Sequence, residues 1–168
     1  MSGEIAMAGF RRANDAYFRG FAKGELPVRA KTDVLIITCV DSRVDPAHFL
    51  SLEEGAAYVY RSSGGRVNND TLRTLLLTQL LGCRRMMVIH HTDCGLSRAT
   101  NIELRERVQR ELELDASKID FLPFVDLEQS VREDVAWLRS SGGIRGDVIV
   151  TGHVYDVRNG LMHDVEVA

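Results

Sequence analysis

A run of apolar residues long enough to cross a membrane is missing from this 168-residue chain; nothing in it approaches the roughly 18 consecutive positions such a helix needs. A basic excess is missing too. Lys and Arg number 21 against 24 Asp and Glu, a formal net charge of −3, so neither nucleic acid nor an anionic membrane is expected as the main partner. The opening residues, MSGEIAMAGFRRANDAYF, carry acidic Glu4, no continuous apolar core and an Arg pair after Phe10. That pattern is unlike a secretory signal, and the cytoplasm is the expected compartment. Cysteine is scarce: three residues, an odd number, argue against a disulfide framework and for metal binding or simple burial.

What is present is a globular composition, 45% apolar and 27% charged, without repeats, low-complexity tracts or a linker. One domain over residues 1–168 is expected, with 1–24 as an N-terminal helical arm. Five strand-like runs stand out: Val34–Val40, Ala57–Ser62, Met86–His91, Asp147–Asp156 and Leu161–Val167. The first and third are continuously apolar, as strands buried on both faces of a parallel sheet are. Between the last two lies Val157–Gly160, whose Asn-Gly pair signals a hairpin and makes the final strand an antiparallel edge.

Helical stripes fill the gaps. Phe10, Ala13, Tyr17 and Phe21 form one; Leu104, Val108 and Leu112 a second; Leu127, Val131, Val135 and Leu138 a third, ended by Gly142-Gly143. Over Asp70–Leu81 the leucines fall all round the helix, which predicts burial under the sheet or at a subunit contact. Asn68-Asn69-Asp70 reads as its N-cap cluster. The segment Ala116–Asp126 has no clear period. Alternating strands and helices predict an α/β fold: a mostly parallel central sheet of about five strands, order 2-1-3-4 with an antiparallel edge, flanked by helices.

Two motifs carry chemistry. Cys39 ends the first strand inside Cys39-Val40-Asp41-Ser42-Arg43, and His91 and Cys94 end the third inside His90-His91-Thr92-Asp93-Cys94-Gly95. Ligand sites in open α/β sheets form beyond the carboxyl ends of strands, where strand order reverses. If strand two lies outside strand one and strand three on its other side, that crevice falls between strands one and three, and both motifs converge there. Two thiolates and one imidazole make a zinc set and leave a fourth position open, as catalytic zinc requires. Neighbouring side chains of a strand point to opposite faces, so only one of the adjacent histidines can face Cys39. The His-x-x-Cys spacing assigns that role to His91 and leaves His90 against a helix. Taken singly, each cysteine is better explained as a small buried hydrophobe, the reading kept for Cys83. His48, His153 and His163 are read as surface or packing residues. Asp41 and Ser42 are also plausible cap residues for a following helix. Gly64-Gly65 after the second strand lets backbone approach the crevice.

Cys-x-Asp-Ser-Arg followed some fifty residues later by His-Thr-x-Cys-Gly resembles the paired signature of the β-carbonic anhydrases, in their short, compact form, and the likeness extends over essentially the whole chain. The resemblance implies a zinc lyase, carbonate dehydratase, that hydrates carbon dioxide reversibly to bicarbonate as a homodimer or a multiple of dimers. It implies Cys39, His91 and Cys94 as metal ligands, a metal-acidified water as nucleophile, and catalytic roles for Asp41 and Arg43. Arg43 would fix Asp41 as an acceptor beside the metal; the family's inactive alternative puts that aspartate on the zinc. The chain departs from the usual Arg-Asn-Ala-Gly run, reading Arg61-Ser62-Ser63-Gly64. Two alternatives stand beside this reading: hydrolysis of carbonyl sulfide or carbon disulfide on the same fold, and a non-catalytic zinc-binding protein.

Overall fold

The computed structural model describes residues 3–167, and its centre is one five-stranded sheet in the order β2-β1-β3-β4-β5. The strands are β1 (Val34–Cys39), β2 (Tyr58–Ser62), β3 (Arg85–His91), β4 (Ile149–Tyr155) and β5 (Met162–Val165). All neighbours pair in parallel except β4 and β5, which run antiparallel through the expected hairpin. Asp156 sets that hairpin: its backbone carbonyl accepts from Gly160 N (2.8 Å), and its side chain accepts from Arg158 N (2.9 Å). The apolar runs of β1 and β3 are buried along almost their full length, as continuous Val, Leu, Ile and Met patterns require.

The helices are α1 (Gly3–Arg19), the single turn α2 (Pro46–Phe49), α3 (Leu72–Leu80), α4 (Asn101–Leu112) and α5 (Leu127–Ser140). Helix α5 begins where Asp126 accepts from Gln129 N (2.9 Å) and sinks Val131, Val135 and Leu138 into the core, each contributing about 1.5–3 kcal/mol by burial. It lies close on β4 because position 152 is glycine; a Cβ there would stand 2.5 Å from Val131 Cγ1. Thus α5 faces β3 and β4, and with them His90.

Two helices differ in detail from their sequence patterns. The Asp70–Leu81 segment starts as a 3-10 turn, Asn69–Thr71, capped by Asn68, before α3 proper. Of the leucines in α3, only Leu75 is fully buried; Leu76, Leu77 and Leu80 are exposed, so the chain covers one face of this helix and leaves the other bare. Helix α1 ends before Phe21 and has no buried residue. No helix among the described residues is long and apolar enough to cross a membrane.

Candidate metal centre

Cys39 closes β1 and His91 closes β3, on adjacent strands at the point where strand order turns back. Four residues beyond β3's penultimate position, Cys94 returns to the same place after a tight turn made by Asp93 in the left-handed region (φ 60). One donor atom from each of Cys39, His91 and Cys94 lies within 4.8 Å of the others, and all three residues are buried. A tetrahedral zinc with ordinary Zn–S and Zn–N bonds sets its donors roughly 3.5–4 Å apart, so the group needs only a small contraction.

The imidazole is already arranged as a ligand. His91 Nδ1 lies 2.9 Å from the Thr92 carbonyl, which can only accept; Nδ1 therefore carries the proton and Nε2 a free lone pair. Nε2 is buried with no hydrogen-bond partner. A buried, unpartnered nitrogen is costly unless something else takes it, and a metal does. Thr92 is itself fixed, its Oγ1 donating to Asp156 (3.0 Å) and accepting from Val157 N (3.1 Å). The two thiols bias each other: the Cys94 hydrogen bond and the nearby imidazole pull the Cys39 thiol well down, while Cys94, facing that thiolate and buried, is pushed up. A metal held by both sulfurs takes them as thiolates, so its binding releases the thiol protons that remain. Cys39 Sγ also accepts from Asp41 N at 3.4 Å.

His90 points the other way. Its Nδ1 is 2.7 Å from Ser130 Oγ and its Nε2 3.0 Å from Asp134, both on α5, and Arg66 reaches the same carboxylate at 3.4 Å. Asp41 and Ser42 do not cap a helix; Asp45 caps α2, accepting from Ala47 N at 3.1 Å. Instead Arg43 grips both oxygens of Asp41, Nε to Oδ1 at 3.0 Å and Nη2 to Oδ2 at 2.7 Å. Those bonds hold the Asp41 carboxyl far below the usual carboxylate range. Asp41 Oδ2 lies 3.9 Å from His91 Nε2, so the gripped carboxylate borders the metal position.

Several contributors were not anticipated. Arg61 donates to the carbonyls of Cys39 (2.9 Å) and Asp41 (2.7 Å), bracing the strand end. Asp93, the variable position of its motif, accepts from Arg43 and from Arg98. Leu96 and Phe124 pack with Cys39 and Cys94 into an apolar cluster. Gly65, where the sequence did call for a close backbone approach, fills the remaining side: at φ 74, a Cβ there would meet His90 Cδ2 at 3.1 Å and Cys39 N at 3.2 Å. Arg61 and Asp93 have only charge as a signal, and charge alone does not say which partner each serves. A surface groove of about 580 Å³ along Ser97–Asn101 and Phe124–Gln129 includes none of the three candidate ligands. Cys83 is buried, its thiol donating to the Arg85 carbonyl, and His153 is buried with its Nδ1 2.8 Å from the exposed Asp164 carboxylate.

Comparison with known proteins follows this geometry closely. The carbonic anhydrase family model matches residues 34–162. The β-carbonic anhydrase 1 of Mycobacterium tuberculosis is 31% identical over 155 residues, 90% of this chain and 93% of that one. A carbonic anhydrase crystal structure from Streptococcus mutans superposes with a TM-score of 0.90 at 44% identity, covering 99% of both chains. A carbon disulfide hydrolase of Acidianus is 31% identical over 146 residues, 73% of this chain and 72% of that one.

Proposed function

We propose, because this chain belongs to the β-carbonic anhydrase family, that it hydrates carbon dioxide reversibly to bicarbonate and a proton with a zinc ion held by Cys39, His91 and Cys94. The observation that carries the reading is the meeting of a buried two-thiol, one-imidazole donor set with a carboxylate gripped at both oxygens. When bound, the ion supplies Lewis acidity, which makes a nucleophile available from water near neutral pH. The residues of the chain do the rest. Two thiolates cancel the charge of a divalent ion and weaken that acidity relative to an all-imidazole set, so an anionic acceptor at the open position gains importance. Asp41 is that acceptor, and Arg43 fixes the direction of its lone pairs. Leu96 and Phe124 give the site an apolar wall suited to a small uncharged substrate.

The likeness to carbon disulfide hydrolases supports a second reading, hydrolysis of carbon disulfide or carbonyl sulfide by the same residues. One experiment separates them: stopped-flow hydration of carbon dioxide beside sulfide release, on one sample of verified zinc content. Hydration without sulfide release is the expected result. Sulfide release without hydration transfers the assignment to the second reading, and neither activity in zinc-loaded protein leaves a binding protein.

A homodimer or larger assembly belongs to the same proposal. Leu76, Leu77 and Leu80 are 54%, 56% and 85% exposed, side by side on α3, and α1 exposes Phe10, Tyr17 and Phe18. Bare apolar helix faces of this kind are what obligate interfaces cover. Light scattering at low micromolar concentration is expected to give a dimer or a multiple of it, and Leu77→Glu with Leu80→Glu is expected to break it. An active, monodisperse wild-type monomer overturns this.

A further inference from the structure

The guanidinium of Arg43 has two working edges, and Asp41 occupies only one. The other is held by Asp93: Arg43 Nη1 donates to Asp93 Oδ2 at 2.7 Å, and Nη2 donates to the Asp93 carbonyl at 3.0 Å. The second carboxylate oxygen of Asp93 accepts from Arg98. Four acidic and basic groups therefore alternate from the metal position outward: Asp41, Arg43, Asp93, Arg98. The backbone at Asp93 is in the left-handed region, where glycine sits without strain and a side chain does not. An Asn would tolerate that backbone but offers a single acceptor oxygen where two arginines each take one.

Asp41 has somewhere else to go. Its Oδ2 stands 3.9 Å from His91 Nε2, within a small rotation of any metal that Nε2 holds. What keeps it away is Arg43, and Arg43 is a long, half-exposed side chain that would wander if gripped from one edge only.

We propose that Asp93 is a positioning residue: by holding the outer edge of Arg43 it keeps Asp41 turned onto the arginine and off the metal, so that the fourth metal position stays free for water and substrate. This rests on the metal reading above. It separates two roles for the turn between His91 and Cys94, which delivers the ligand Cys94 and, through its middle residue, restrains a carboxylate fifty-two positions earlier in the chain.

The test uses cobalt-loaded full-length protein and azide, a small anion that occupies an open fourth position and changes the visible cobalt spectrum. Asp93→Asn and Asp93→Gly are compared with the wild type. Glycine fits the turn, so it removes the side chain without straining the backbone. Both variants are expected to keep one metal per chain while their azide affinity falls at least tenfold, with glycine the more affected and hydration slowed in parallel. Adding Asp41→Asn to either variant is expected to restore azide binding, because the competing carboxylate is gone. Wild-type azide affinity in both variants overturns the proposal. So does a loss that persists after Asp41→Asn, which would make Asp93 a brace for the ligand turn. If the wild type binds neither cobalt nor zinc, the metal reading itself fails. A crystal structure of Asp93→Gly then decides the inference alone: Asp41 still gripped at both oxygens refutes it, and Asp41 released from Arg43 supports it.

Discussion

Replacing Cys39 or Cys94 with serine is expected to strip zinc from the protein. A serine hydroxyl stays protonated near neutral pH and offers a hard, neutral oxygen where the site presents a soft anion. The remaining pair of ligands cannot compensate, because the three donors come from two strand ends and a turn, and among the described residues no third thiol or imidazole joins the group. Loss of an outer partner typically costs metal affinity roughly 10–100-fold. Loss of a thiolate ligand is expected to exceed that, taking metal content from about one ion per chain to a small fraction after dialysis. His91→Ala is expected to match it. The control is His90→Ala. With its imidazole committed to Ser130 and Asp134 on α5, it is expected to keep its zinc and to lose stability instead, by about 2–5 kcal/mol from the cavity and the broken buried pair. Elemental analysis with thermal melts on the four variants checks both halves. Stoichiometric zinc in both serine variants overturns the ligand set.

The contrast between the two histidines shows what was legible in the sequence. Strand alternation alone sends His90 and His91 to opposite faces, and the spacing to Cys94 says which of them meets a thiol. The strands were legible from composition, since the runs Val34–Val40 and Met86–His91 carry the continuous apolar stretches of a sheet covered on both sides. Putting Cys39 beside His91 then makes β1 and β3 neighbours; it does not by itself place β2. Other features rest on encounters between distant segments, which no local pattern encodes. Arg61 bracing Cys39, and Asp93 holding Arg43 across fifty residues, depend on a register that exists only after the strands have paired. Helix α3 shows the limit in the other direction. Its all-round leucines pointed to burial under the sheet or at a subunit contact, but one chain supplies cover for only one side, and the pattern alone does not say what meets the other.

Asp41→Asn and Arg43→Ala are expected to leave zinc content near that of the wild type and to slow hydration by on the order of a hundredfold or more, the usual cost of losing one positioned group at a reacting centre. The two variants fail for different reasons. Asn keeps the size of Asp41 but replaces the anionic oxygen pair with one neutral acceptor and one donor, so the open metal position loses the group that receives its proton. Ala at position 43 removes four donated side-chain hydrogen bonds at once, two to the Asp41 carboxylate and two to Asp93, and leaves Asp41 only the bond from the backbone N of residue 43. The freed carboxylate, whose Oδ2 already lies 3.9 Å from His91 Nε2, can then turn toward the metal position. Arg43→Ala is therefore expected to bind small anions less well, whereas Asp41→Asn is expected to bind them at least as well as the wild type. Combining the two substitutions should cost little more than Asp41→Asn alone, since Arg43 acts through the carboxylate that is no longer there. Hydration rate and zinc content measured on all three proteins decide the matter. Near-normal rates in both single variants would reduce the pair to a brace for the loop after β1, and additive losses in the double variant would give Arg43 a role of its own with the substrate.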